Sequence, residues 1–333
     1  MSDTPAAEPV ERRTTAPPNY NIAVGCFAER ERAEAFGRLI SNYVSLFGEH
    51  FDLANLDGVT IAGDYNQALA ALDRGFETIT PLSASTEFAQ GVAMSPLVVR
   101  HGKIKTHIVL NGEIIVPIES DANPDFDRAV QILAHECAHV EITSKFDACF
   151  PGTLLQPQVG DFRDELRWPI IMSCWDEYAA SFLAAPFGRD LTEDLETTFL
   201  HTLDRVDAVA LTAMWSYRVH GDHGRIAGEI FAIYGALLRY ASYQVGNLAS
   251  SNRTMMDLAR TKSVLQGHWF EPHCSELEAA LNELRASYGS WGSKEPFERL
   301  GDVAEQLVAE RGLTLTSLDD GTVYVDVPFN SLV

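Results

Sequence analysis

Apolar residues fall in short alternating or continuous runs through the first third of the chain, then switch to a helical period. Residues 21–25 read as a strand. Residues 28–47 place Phe36, Leu39, Ile40, Tyr43 and Phe47 on one helical face and stop at Gly48. Residues 59–61 are β-like and 65–72 helical. The strongest β pattern follows at 92–99 and 104–111, two runs around His101-Gly102-Lys103 that predict a hairpin, with a third run at 114–118.

From Asn123 onward the spacing predicts helices over 124–145, 169–185, 191–220, 225–245, 275–288 and 296–311. Asn123 reads as an N-cap with Pro124 in the first turn, Pro169 as a helix opener, and Ser275 with Glu278 as a capping box. Gly312 reads as a stop, and runs at 313–318 and 322–327 around Asp319-Asp320-Gly321 close the chain as a hairpin. The layout predicts an α+β fold: a small mixed β-sheet and a mostly helical C-terminal half. Residues 1–20, rich in Pro, Ala, Thr and charge, are expected to form a disordered leader. The chain then divides into regions 21–190 and 191–333, the second ending in the β-hairpin.

Charge narrows the partners. With 25 Lys+Arg against 47 Asp+Glu the formal net charge is −22, which repels nucleic-acid phosphates and anionic lipid surfaces. The longest strongly apolar run, 226–238, contains Glu229 and falls short of the roughly 20 residues a membrane span needs. The N-terminus has no apolar core of a secretory signal. The 5 cysteines form no C-x-x-C pair, which fits a reducing, cytoplasmic setting. Expected partners therefore exclude nucleic acid and membrane.

One segment carries chemistry. His135-Glu136-Cys137-Ala138-His139 is an H-E-x-x-H sequence inside a helical pattern. Four residues is about one helical turn, so both imidazoles leave the same face and can grip one metal ion. Glu136, next to the first ligand, can act as general base on a water at that metal. With 10 His and 25 Glu in 333 residues, chance placement gives roughly 0.02 such matches. Phe126, Val130, Leu133 and Cys137 supply an apolar side on which the helix can bury. A third ligand is needed, and Glu177 is the candidate. It sits in an apolar helix where a carboxylate is costly to bury unless paired or ligating, and small Ala179 and Ala180 permit close packing. Asp176 and a distant His are the alternatives.

This arrangement resembles the gluzincin branch of the zincin metallopeptidases. The run Ala134-His135-Glu136-x-Ala138-His139, followed by Glu177-x-x-Ala180, resembles the ImmA/IrrE-type metallopeptidases, with Cys137-Ala138 where that motif usually has Leu-Gly. The resemblance covers about residues 90–190 and makes 21–190 a zincin-like domain. It implies a cytoplasmic Zn2+ protease acting on a protein or peptide substrate, with His135, His139 and Glu177 as metal ligands and Glu136 as catalytic base. It also implies that one of the runs 92–99 or 104–111 holds the substrate by β-addition. A non-catalytic, zinc-stapled binding protein and a zinc hydrolase of a small non-peptide amide would use the same residues.

Other residues are expected to be structural. Tyr178 adjoins Glu177, but one helical step turns it about 100° away. His220 and His223 read as an interhelical loop, Cys137 and Cys174 as buried thiols, the five tryptophans as packing residues and the acidic run 190–196 as a solvated face.

Overall fold

A computed structural model describes residues 13–78, 82–84, 88, 91–155 and 160–327. The fold is α+β and 59% helical. Of the expected leader, residues 1–12 lie outside the described residues. Within 13–20, the Thr15 backbone N donates to Gly48 O at 2.8 Å and the Thr15 hydroxyl to Phe51 O at 2.6 Å.

Strand β1 (Asn21–Val24) leads through α1 (Arg30–Phe47) to β2 (Leu56–Ala62), and the short α2 (Tyr65–Ala71) follows. β3 (Ala93–Met94), β4 (Leu97–Arg100) and β5 (Lys103–Asn111) complete a mixed sheet. β1 and β2 are parallel, as are β2 and β5, with Ile22 opposite Val59 and Val59 opposite Ile108. β3 and β4 both pair antiparallel to β5. The hairpin turn falls where expected: His101 at φ 53° and Gly102 at φ 73° give the two left-handed residues of a tight primed turn.

Two β expectations need correction. The run 92–99 is two strands broken at Ser95-Pro96, because proline cannot donate to a ladder. The run 114–118 is helical, as α3 (Gly112–Ile115) and a 3-10 turn (Val116–Glu119). Asn111 Oδ1 accepts from Glu113 N and starts the turn, and Ile115 and Ile118 are both buried.

α4 (Phe126–Cys149) begins two residues after Pro124, because Asn123 Oδ1 accepts from Asp125 N in a turn before the helix. α5 (Phe162–Ala184) starts well ahead of Pro169, which lies inside it. Asp161 is the cap, accepting from the backbone N of Arg163 and Asp164 at 2.9 and 3.1 Å. α6 (Thr192–His220) and α7 (His223–Ala249) break at Gly221, φ 68°, and Asp222 caps α7. After α8 (Ala259–Leu265), α9 (Glu271–Ala286) contains the expected capping box in its interior, where Ser275 Oγ donates to Glu271 O instead. α10 (Glu295–Glu310), Gly312 at φ 96° and the hairpin β6 (Thr314–Ser317) with β7 (Val323–Asp326) end the described chain.

A continuous core runs from Phe36 of α1 to Val327 and joins the sheet, α4, α5, α7, α9 and α10. α5 lies at its centre: Trp175 and Tyr178 are fully buried, and Trp175 meets Trp291 edge-on at 5.3 Å. α7 runs against α5 at glycines, since a Cβ on Gly246 would lie 2.2 Å from Tyr178 O. Trp168, Trp175 and Trp291 are packing residues as expected, whereas Trp215 on α6 is 67% exposed. Glu196 also departs from expectation: it is buried, accepting from Thr261 N and Oγ1 at 3.0 and 2.8 Å. No helix among the described residues is long and apolar enough to cross a membrane.

Candidate metal centre

The helical turn of α4 that carries His135 and His139 faces the middle of α5. Buried Ala134, Cys137 and Ala138 on α4 and Ala179 and Ala180 on α5 let the two backbones approach. Glu177 is thereby brought to both imidazoles, with Oε2 3.3 Å from His135 Nε2 and 3.5 Å from His139 Nε2. Zinc bonds of about 2.0–2.2 Å to N and O set tetrahedral donor separations of about 3.3–3.6 Å, so Glu177 Oε2 is spaced from each Nε2 as a shared ion requires. One donor atom each from His135, Glu136 and His139 also falls within 4.8 Å of the others.

Asp176 stands behind the centre. Its Oδ2 lies 3.1 Å from His139 Nδ1, the nitrogen that faces away from Glu177. A carboxylate on the outer nitrogen of a histidine fixes the ring and its tautomer. Of the acids weighed for third ligand, Glu177 thus lies among the Nε2 atoms and Asp176 behind one of them.

The electrostatics follow from burial. Burial pushes the Glu136 carboxyl above its ordinary range, opposed by His139, His135 and a hydrogen bond from Ser95. Burial acts on Glu177 in the same sense, but the two imidazoles outweigh it and hold that carboxyl well below the usual range. For His139, burial favours the neutral ring, while Asp176 and Glu177 reverse this and raise its pKa well above the ordinary value. Asp176 and Glu177 therefore both draw positive charge to His139.

Ser95 was not legible as a site residue. The break between β3 and β4 leaves its hydroxyl donating to Glu136 Oε2 at 2.6 Å, with the Glu136 carbonyl at 3.1 Å. The centre opens into a cleft of about 450 Å³, bounded by Val92–Ser95 at the sheet edge, by α4 and α5, by the start of α6 and by α7. α7 contributes Arg239, Tyr240, Tyr243 and Asn247 to the wall. The Tyr243 ring stacks on His135 at 5.6 Å and 13°, and burial beside Glu177 pushes its hydroxyl well above the ordinary range. The one available signal was a change of composition, where the apolar run of α7 gives way to polar residues at helical spacing.

The residues set aside lie elsewhere. Tyr178 points away and donates to Asn282 Oδ1 at 2.8 Å. His220 and His223 pack around Tyr217 at 5.8 and 5.5 Å, at the α6–α7 turn. Cys137 and Cys174 are buried, and burial pushes the Cys174 thiol up to about 12. No family model, no curated protein and no solved structure matches the chain.

Proposed function

We propose that this chain is a zinc-dependent hydrolase of zincin type that cleaves peptide bonds, with His135, His139 and Glu177 holding the metal and Glu136 as general base. The observation that carries this reading is the placement of Glu177 Oε2 at 3.3 and 3.5 Å from the two Nε2 atoms, with Glu136 beside them in a cleft. Zinc in such a site supplies Lewis acidity toward a carbonyl and a water that is nucleophilic at neutral pH.

The chain's own residues supply the rest. Glu136 takes the proton of the attacking water and delivers it to the leaving amine. Ser95 fixes which Glu136 oxygen faces the water, since its hydrogen bond occupies Oε2. Asp176 positions His139 and the Tyr243 ring stacks on His135, so each imidazole is held in place. Val92–Ser95 at the sheet edge offer backbone to an extended substrate, which supports a protein or peptide as partner. The five unpaired cysteines support a cytoplasmic setting.

The direct test is Glu136→Gln. The zinc-loaded wild type is expected to hydrolyse a mixed peptide library, and the variant to retain zinc while losing hydrolysis. Hydrolysis that persists in the variant, or is absent from the zinc-loaded wild type, would overturn the reading.

A further inference from the structure

The hydrolysis proposed above leaves Arg239 without a role. Its guanidinium forms part of the cleft wall, close behind Glu177. Nη2 donates to the Tyr240 hydroxyl at 3.3 Å, and Nε is buried without a hydrogen-bond partner. Among the described residues no carboxylate forms an ion pair with it, and Glu177 acts on it only through space. The nearby Cys174 thiol, pushed up to about 12 by burial, is neutral and offers no counter-charge.

Two other enclosed arginines do carry ion pairs. Arg167 is held by Glu298, Asp302 and Glu305 at 3.0, 2.7 and 3.2 Å, and Arg311 by Asp207 at 2.6 Å. Acids outnumber bases by 47 to 25, so an enclosed cation without an ion pair does not reflect a shortage of partners. Burying a charge unpaired is costly, and an anion bound in the cleft would supply the missing partner. In the metal centre proposed above Glu177 is committed to the ion, which leaves Arg239 still more in need of an anion.

We propose that Arg239 receives a carboxylate of the substrate, so that the cleft selects peptides with a carboxylate close to the bond to be cut. The inference rests on the reading of the centre as a peptidase. A guanidinium is suited to this task because it offers a planar pair of donors to a carboxylate. That carboxylate has two sources, a free chain terminus or an acidic side chain.

Two experiments on the full chain test it. The first measures binding of N-acetyl-leucine and N-acetyl-leucinamide by saturation-transfer NMR, with zinc present and after chelation. The wild type is expected to prefer the acid by about 10- to 100-fold, and Arg239→Met to lose that preference. Equal binding of acid and amide by the wild type, or a preference retained in the variant, would each overturn the assignment.

The second maps cleavage in three peptide libraries: free-acid, C-terminally amidated, and amidated without Asp or Glu. Cuts at a fixed distance from the free terminus identify the terminal carboxylate. Cuts beside Asp or Glu in the amidated library identify the side chain. Equal cutting of all three overturns the proposal. If nothing is cut, the peptidase reading fails, while the NMR comparison still decides whether Arg239 binds a carboxylate.

Discussion

Replacing Gly246 by alanine gives a sharp test of how the centre is built. The added Cβ would stand 2.2 Å from Tyr178 O and 2.9 Å from Tyr178 C, which are backbone atoms of α5 and cannot swing aside. An ordinary contact of about 3.2 Å would require α5 and α7 to part by about 1 Å. Overpacking against backbone costs about 3 kcal/mol. The better helix propensity of alanine returns about 1 kcal/mol, leaving a net loss of about 2 kcal/mol. A Cβ added at Gly228, on the same helix, would meet nothing within 4 Å, so Gly228→Ala isolates the propensity gain of about 1 kcal/mol. Urea unfolding midpoints should therefore move in opposite directions for the two variants. Glu177 immediately precedes Tyr178, so Gly246→Ala should also weaken zinc binding, because metal and catalytic constellations tolerate only about 0.5 Å of displacement. A Gly246→Ala protein as stable as wild type, with unchanged zinc affinity, would refute the reasoning.

Two further outcomes are expected. Ser95→Ala removes the hydrogen bond to Glu136 Oε2, so kcat should fall by about 10- to 100-fold while zinc content and fold are kept; unchanged kcat would remove Ser95 as the group that orients the base. Asp190 Oδ1 accepts from the Thr192 hydroxyl and backbone N at the start of α6, and these bonds hold its carboxyl below the ordinary range, so Asp190→Ala should cost about 1 kcal/mol near neutral pH. A depressed folded-state pKa gives stability that is fully present above the unfolded value of about 3.9 and lost as pH falls through the folded value; a loss in Asp190→Ala that stays constant into strong acid would contradict this.

The parts of the fold set by short-range spacing were legible. The H-E-x-x-H turn had to be helical for its spacing to make sense, and a carboxylate in the apolar stretch around Glu177 had to find a partner. What escaped detection depended on competition between local signals. Pro169 reads as a helix opener, but the Asp161 cap lies eight residues before it and carries the helix through the proline. The apolar run 114–118 reads as a strand, yet the Asn111 cap and Pro117 favour a helical turn that buries Ile115 and Ile118. Ser95 became a site residue only because Pro96 splits a strand next to α4. Arg239 and Tyr243 follow an apolar run that reads as core, and only the packing of α7 against α5 turns them toward the centre.

The wall of the cleft explains why those omissions matter. His135 and His139 come from one helix and Glu177 from the next, but Tyr243, which stacks on His135, comes from the C-terminal half. The centre therefore depends on the common core that joins the two halves of the chain, and Gly246 sits on that join, against the backbone of Tyr178.

The central claim is that His135, His139 and Glu177 hold a zinc ion, and metal content by mass spectrometry tests it most directly. Wild type, His139→Ala, Glu177→Ala and Glu136→Gln should be compared after the same zinc loading and dialysis. About one zinc per chain in the wild type and in Glu136→Gln, with loss from His139→Ala and Glu177→Ala, is the expected result. A wild type that takes up no zinc, or a Glu177→Ala protein that binds it as tightly as wild type, would contradict the account.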